Sequence, residues 1–560
     1  MSRAAPEILC GGKALKDFIA VRVDIRRGVQ WIPEARVVLQ PNKGERADWW
    51  KACSAMVAKC RPGVELCIRH EGLEVFRGVV VEQSVQWSEQ EVRLLVKHPL
   101  QRLVNTQRSQ VFQDKSDSQI LAAIFKEHKV ASGTLELKTR HQQMVQWDCT
   151  DWQFIRSRLA AHGAWLIPKR DKVECRVPAL AGKPHVLKAQ RQNADKDIQI
   201  LDAQWTFNNE MQAKGVSLRY WDVERQALSK AVTGKAKSFG SGALDPGKLE
   251  ALCPRLELIQ SLWPASDEAQ ALADGRHLAQ LAAGVQVWLR IREPEGVGTF
   301  TLKYELGDAL ELSGFGTGFS GKGVITTLEH QWWRGTWTSV VATGVPLQQA
   351  QDAASLPRNT RLVVGVVEPY RKDSRGLNRV LVKVPLLGAV QPLWARLASP
   401  YASKEGGLYL YPEAGDEVVL DFVDDDPRYP LILGSLHNPK NKALFEMSQA
   451  NALKGFKYVL QGKEQSWLFD VKEKTFTLTN DKDRWTIGKD GQQVQSEGKF
   501  ALSAKQDMTA EAGGSFDLSA KKRGGLSADQ AIEIQSKQKL LVQGVSQVEV
   551  KGGKIDLKNG

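Results

Sequence analysis

The chain has 560 residues, enough for several domains, and 42% hydrophobic with 25% charged residues is an ordinary balance for soluble globular protein. The formal charge of +13 is dispersed, because Lys and Arg are interleaved with Asp and Glu. With no long basic run, basic helix or base-stacking motif, nucleic acid is not an expected partner. No run of about 18 apolar residues occurs and Met1–Gly12 has no apolar core, so neither a transmembrane helix nor a classical signal peptide is expected.

Residues 1–105 read as strands and turns. Phe18–Ile25 and Val64–Arg69 alternate apolar and polar; Ala35–Leu39 and Glu91–Val96 do so approximately. Two short helices follow. Ser116 with Gln119, and Thr150 with Gln153, have the spacing of capping boxes, and Gly163 is a stop signal for the second. Gly234–Lys248, rich in Gly, Ser and Lys, reads as an exposed loop. A third helix is predicted over Asp267–Ala283, stopped by Gly284. Strands follow at Val285–Ile291, Ala309–Leu312, Gly323–Leu328 and Trp337–Ala342, and the polar stretch Gln348–Arg358 reads as a linker.

Residues 361–437 hold six short strand signals: Arg361–Val367, Arg379–Val384, Trp394–Leu397, Gly407–Leu410, Glu417–Phe422 and Leu431–Leu433. So many strands in so short a stretch fit a small Greek-key barrel such as an OB-fold.

From Phe500 onward the sequence repeats every eight residues. Pairs two apart fall at Phe500/Leu502, Met508/Ala510, Phe516/Leu518, Gly524/Leu526, Ile532/Ile534, Leu540/Val542 and Val548/Val550. A spacing of two places both members on one face of a strand, and a spacing of eight restores the phase after a turn. Upstream, Trp467/Phe469, Phe476/Leu478 and Trp485/Ile487 continue the pairing at intervals of nine. An octad is one strand and a turn, too short to enclose a core alone, so one chain supplies one wall. Several identical chains wound into a shared prism would bury these faces; an antiparallel meander is the alternative. After Val550 the phase breaks: Ile555/Leu557 comes seven residues on. At the end of such a prism these two, rimmed by Lys554, Asp556 and Lys558, would form a small apolar docking platform.

The usual catalytic and metal signatures are missing. Gly316–Gly321 matches GxGxxG but precedes a strand rather than a helix, which makes a hairpin loop the better reading. Asp424-Asp425-Asp426 reads as an acidic turn ahead of Pro427, since consecutive carboxylates rarely converge on one cation. His330 reads as a structural histidine. Seven cysteines without a CxxC suggest scattered thiols made in a reducing compartment. No HExxH or GxSxG is present, so no catalytic residue, metal or cofactor is expected.

The barrel module carries Leu377–Val384, Trp394–Pro400, Tyr411–Val418 and Asp424–Asn438, which resemble the OB domain of VgrG proteins, the spikes of type VI secretion systems, and that of phage contractile-tail spikes. Gln146–Leu159 with Gly163, and Gly307-Asp308, Gly321, His330 and Trp337-Thr338, resemble segments of the same family's hub-like base. The N-terminal portion is most similar to the Rhs-associated VgrG subset. The resemblance implies a mainly β chain with three parts: a phage-hub-like base at 1–350 with β-barrel subdomains and a few helices, an OB-fold at 359–438, and an intertwined trimeric β-helix at 439–560. It also implies a homotrimer standing on a ring of Hcp among baseplate components, with a PAAR-repeat cap or PAAR-containing Rhs effector at the tip. Such a spike is built in the bacterial cytoplasm and secreted without a signal peptide into transient contact with a target membrane. The sequence ends just after the last repeat, so no fused effector domain is expected. The alternative is the spike of a phage tail or extracellular contractile injection particle. A tailspike-like polysaccharide hydrolase is less favoured, because the octads are short and offer no carboxylate groove.

Overall fold

Alternation of apolar and polar side chains builds most of the first compact unit, Met1–Ala443. The computed structural model describes residues 5–42, 49–189, 198–261, 266–292, 301–346, 361–388 and 391–558; the linker reading at Gln348–Arg358 lies outside them. In Phe18–Gly28 the buried positions run Phe18, Ala20, then Val23 and Ile25. The register slips against Glu34–Pro41 between Ala20 and Arg22, so a bulge shifts the buried phase by one residue.

That strand sits in the middle of a 14-stranded sheet. One side continues through Glu34–Pro41, Glu91–Lys97, Leu73–Gln86 and Glu65–His70; the other through Gly321–Trp333, Thr336–Thr343, Val285–Arg292 and Gln199–Phe207. The chain closes on itself where Gly321–Trp333 pairs antiparallel with Phe18–Gly28, Trp333 opposite Arg22 and Thr327 opposite Gly28. One core lies under the first hundred residues, around Val23, Val37, Leu66 and Leu94. A second lies around Val287, Leu289, Tyr304 and Leu328.

The first core is covered by a helix the strand reading overlooked, α1 (Trp49–Lys59), which buries Trp49, Ala52, Cys53 and Met56. Those are one helical face at i, i+3, i+4 and i+7. Cys60 ends this segment and forms a disulfide with Cys10, which corrects the expectation of seven unpaired thiols. Closing a loop of this length stabilises the chain by roughly 4 kcal/mol in the entropic account.

The helices α2 (Asp117–Glu127) and α3 (Asp151–His162) start at the two expected capping boxes, both reciprocal, and Gly163 ends α3 at φ 61°. Each cap contributes about 1 kcal/mol. Two further helices are α4 (Gly247–Glu250) and α5 (Ser266–Gly284). α5 crosses α3 at Gly275, where a Cβ would stand 2.7 Å from Ala160 and Ala161 carbonyl oxygens. Gly234–Lys248 is not a free loop. Phe239 and Leu244 are buried in the second core, and Ser241–Gly242 pairs with Gly321–Lys322.

Five strands then close a barrel in the order Val363–Val367, Val380–Lys383, Leu393–Leu397, Pro430–Leu436, Glu417–Phe422. The sixth predicted strand, Gly407–Leu410, reduces to a single bridge between Ala402 and Gly407. The barrel core of Val380, Val382, Leu393, Val418, Leu420 and Ile432 is continuous with Val111, Val145 and Trp147, which come from the strands Gln107–Ser116 and Arg140–Thr150.

The second unit, Leu444–Gly560, begins with an antiparallel meander of five strands, Leu453–Leu460, Lys463–Asp470, Thr475–Asn480, Asp483–Gly488 and Gly491–Gln495. The pairs at intervals of nine therefore belong to hairpins and not to the octad array. The strands of this meander start 8 to 12 residues apart, and Gln461-Gly462 turns the first hairpin at φ 51° and 80°.

Candidate functional site

Beyond Gln495 the backbone changes character. Bends fall at 497–498, 505–506, 513–514, 521–522, 529–530, 537–538 and 545–546, one every eight residues. Between bends the chain is straight and joins no strand ladder within the chain, and each apolar pair sits in a straight segment. Phe500, Leu502, Met508, Phe516, Leu518, Leu526, Ile532, Ile534, Leu540, Val542, Val548 and Val550 are between 51% and 77% exposed in the single chain. Covering each would be worth roughly 1.5–3 kcal/mol, and strand backbone needs partners as well. The single chain supplies neither.

The meander before it has the same unfinished face. Phe456, Trp467, Leu478, Trp485 and Val494 are directly opposite one another across all five strands. Phe469, Phe476 and Ile487 form a second row beside them, with the two phenyl rings 4.9 Å apart. Directly opposed residues share a face, so this is one apolar sheet surface, and much of it is exposed. At the far end, Ile555 is 53% and Leu557 94% exposed, while Lys554 and Asp556 pair at 2.9 Å. Lys558 is exposed beside them.

Electrostatics concentrate elsewhere, where helices of the first unit meet the barrel. Arg158 of α3 is fully buried; its Nε donates to Asp117 Oδ1 at 2.8 Å and its Nη2 to Asp117 Oδ2 at 3.1 Å. The same Nη2 donates to Glu268 Oε1 of α5, and Arg428 Nη1 donates to Glu268 Oε2 at 2.6 Å. Arg428 is also held by Asp426, and His141 and His162 each place Nε2 within 3.0 Å of Asp117 Oδ2. Burial opposes ionisation of Asp117 and Glu268, but the guanidiniums, joined at Asp117 by the imidazoles, hold both carboxyls well below the usual range. A depressed carboxyl stabilises the fold fully above its unfolded pKa of about 4 and loses that contribution only as pH falls through its lower folded value. Apart from Asp426 and Arg428, the partners are far apart in sequence, with Arg158 and Glu268 110 residues apart and Arg428 and Glu268 160 apart. Sequence reading missed the network; the only local signal was Asp117 in a helix first turn.

The remaining chemical candidates take structural roles. His330 is buried, with Nδ1 2.9 Å from Ser339 Oγ, and burial, with Arg27 and Arg170 charge, lowers its pKa to about 3. Gly316–Gly321 lies in the loop between the antiparallel strands Ala309–Ser313 and Gly321–Trp333. Asp424 and Asp425 adopt φ 58° and 57° in a tight turn, and only Asp426 of the three is committed to Arg428. Burial pushes the Cys67 and Cys149 thiols up to about 11, away from nucleophilic thiolate. Among the described residues, no group of three His, Cys, Asp or Glu is placed to hold a metal ion. No helix among them is long and apolar enough to cross a membrane.

Residues 2–333 match the family model described as the Alg8 N-terminal domain, and residues 363–437 match the type VI secretion system/phage-baseplate injector OB domain. A curated relative, the type VI secretion system spike protein VgrG5 of Pseudomonas aeruginosa, is 34% identical over 64 residues, a match spanning 11% of this chain and 8% of that protein's length. Among solved structures, the Francisella PdpA–VgrG complex matches at 10% identity with a TM-score of 0.53, over 88% of this chain and 80% of that one. An E. coli type VI secretion component, described as similar to the T4 bacteriophage tail proteins gp27 and gp5, matches at 12% identity with a TM-score of 0.47, over 77% of this chain and 99% of that one. Likeness at such identities is a likeness of fold.

Proposed function

The chain belongs to the VgrG family of type VI secretion spike proteins and, over residues 2–333, to the Alg8 N-terminal domain family, and from that premise we propose that three copies form a secreted puncturing spike. The observation that carries the reading is the array of straight segments and bends every eight residues, with an apolar pair exposed in nearly every segment. Three copies wound about one axis would turn each exposed pair inward and give each straight segment a strand partner, forming a β-helical needle. The apolar face of the meander would be covered by the same association. Residues 1–350 would be the base on an Hcp ring and its baseplate, 359–438 the collar, and 439–560 the needle with its neck.

The work of such a particle is mechanical. A rigid base transmits force from a contracting machine, and the narrow end crosses the target membrane. No turnover is assigned to it. The protein would be made in the bacterial cytoplasm and exported by the machine it belongs to, without a signal peptide. The type VI assignment is preferred to a phage tail or extracellular injection particle because the curated relative is a type VI spike.

Cargo would ride on the tip. Ile555 and Leu557, three copies each, would give an apolar platform rimmed by Lys554 and Lys558 for a PAAR-type cap, alone or fused to an Rhs effector. Deleting residues 551–560 will leave assembly intact and abolish copurification of a co-expressed PAAR protein from the same locus. Retention of that protein on the truncated particle would place the docking site elsewhere.

A further inference from the structure

The barrel does not rest on the helices through apolar contact alone. At the centre of their junction lies an unbroken alternation of charge: Asp426, Arg428, Glu268, Arg158, Asp117. The first two come from the turn before the last barrel strand and the other three from α5, α3 and α2. Glu268 is the carboxylate through which the helical layer takes the barrel's Arg428. One carboxylate oxygen takes Arg158 and the other takes Arg428, and its side chain is 1% exposed. Beside this centre lie apolar and neutral contacts, and Arg379 Nη2 donates to Gln142 Oε1 at 3.1 Å. Trp147 and Phe422 rings lie 5.4 Å apart, and Gln143 donates to the Arg428 carbonyl at 2.6 Å while accepting from the Trp394 amide at 2.9 Å.

We propose that Glu268 is a positioning residue that fixes the orientation of the OB barrel on the helical layer and makes the two a single rigid body. The physical reason is the asymmetry of buried charge. Apolar surfaces of similar curvature slide over one another at small cost, because they carry no directional bonds. A carboxylate shared by two buried guanidiniums has one satisfied geometry, and any slip strands a charge without water. Removing the negative charge also leaves Arg158 and Arg428 facing each other across the gap. The alternation thus excludes the alternative dockings that a continuous apolar core would tolerate. In a particle that transmits force through this junction, a fixed angle between base and collar keeps the axis straight. The lock lies within one chain, so its failure and a failure of trimer assembly are separately observable.

The test uses the full-length protein and Glu268→Gln, read by amide hydrogen exchange at pH 7. In the native protein, the Trp394 and Ala398 amides and the neighbouring strand Pro430–Leu436 will exchange together with the α3 and α5 amides. In the variant the barrel amides will exchange at least tenfold faster, and calorimetry will resolve a separate barrel transition. Arg428→Met keeps the Glu268–Arg158 pair and so guards against a variant that does not fold; it will show the same uncoupling. The control is Arg375→Gln, which breaks an exposed pair with Glu224 at the edge of the same junction, and it will leave exchange unchanged. Equal exchange in the native protein, Glu268→Gln and Arg428→Met would overturn the proposal. So would an equal loss of coupling in Arg375→Gln, which would make the junction sensitive to charge in general.

Discussion

Replacing Ile532 and Ile534 together by Asp will abolish assembly. The pair lies between the bends at 529–530 and 537–538, on a straight segment, with the two side chains separated by one residue. In a three-stranded prism the change would bring six carboxylates toward one axis with no cation to meet them. Each unpaired buried charge costs several kcal/mol after relaxation, and the apolar contacts of this layer are lost as well, so the layer turns from stabilising to strongly destabilising at the middle of the array. Size-exclusion chromatography will show dissociated or insoluble protein. Glu533→Lys changes the residue between them, which faces the other way, and will leave the elution position unchanged. If the two variants behave alike, the inward phase assigned to the octads is wrong.

The second large effect is in the first unit. Arg158→Met removes the cation shared by Asp117 and Glu268 and leaves Asp117 with only the two imidazoles and Glu268 with only Arg428. Breaking a buried pair from one side costs about 3–5 kcal/mol. Thermal or denaturant unfolding of the variant will show a loss of that order at pH 7. The loss has a defined pH dependence. In the native protein both carboxyls titrate below the usual range, so the unfolded chain takes up protons first as pH drops and the stabilisation fades. In the variant Glu268 keeps Arg428 and Asp117 keeps the imidazoles, so both carboxyls are held down less strongly and accept protons in the folded state at higher pH than in the native protein. The gap between variant and native protein will therefore narrow on acidification below about pH 4. A gap that is constant or widens as pH falls would contradict the assigned charge states.

Local signals in the sequence were legible where a local cause produces the structure. The capping boxes at Ser116 and Thr150 and the left-handed Gly163 need only their own few residues, and all are where the pattern places them. The five barrel strands follow from alternation for the same reason, and the octad bends follow from a strict repeat. Gly407–Leu410 failed because alternation says nothing of pairing partners; Leu408, Tyr409 and Leu410 are all exposed. α1 was overlooked although Trp49, Ala52, Cys53 and Met56 carry its period, because it is a short helix among alternating strands and opens on two neighbouring tryptophans, which favour strand in composition. The repeat at nine looked like the repeat at eight, since both place pairs two apart; only hydrogen-bond partners separate a hairpin sheet from a wall that waits for another chain.

What the sequence could not show at all was long-range chemistry. Cys10 and Cys60 meet because the strand Glu7–Cys10 lies on Glu65–His70 and α1 folds back across the sheet. Glu268, Arg158 and Arg428 look like ordinary surface charges until three elements far apart in sequence bring them into one dry layer. Neither arrangement leaves a spacing that could be read in advance.

The central claim is that the exposed faces of residues 453–550 are covered by copies of the same chain, and it is tested by the mass of the purified full-length protein. Light scattering at micromolar concentration is predicted to give three times the chain mass of 62.2 kDa, unchanged on dilution. A stable species at the mass of one chain, with the octads intact, would contradict it.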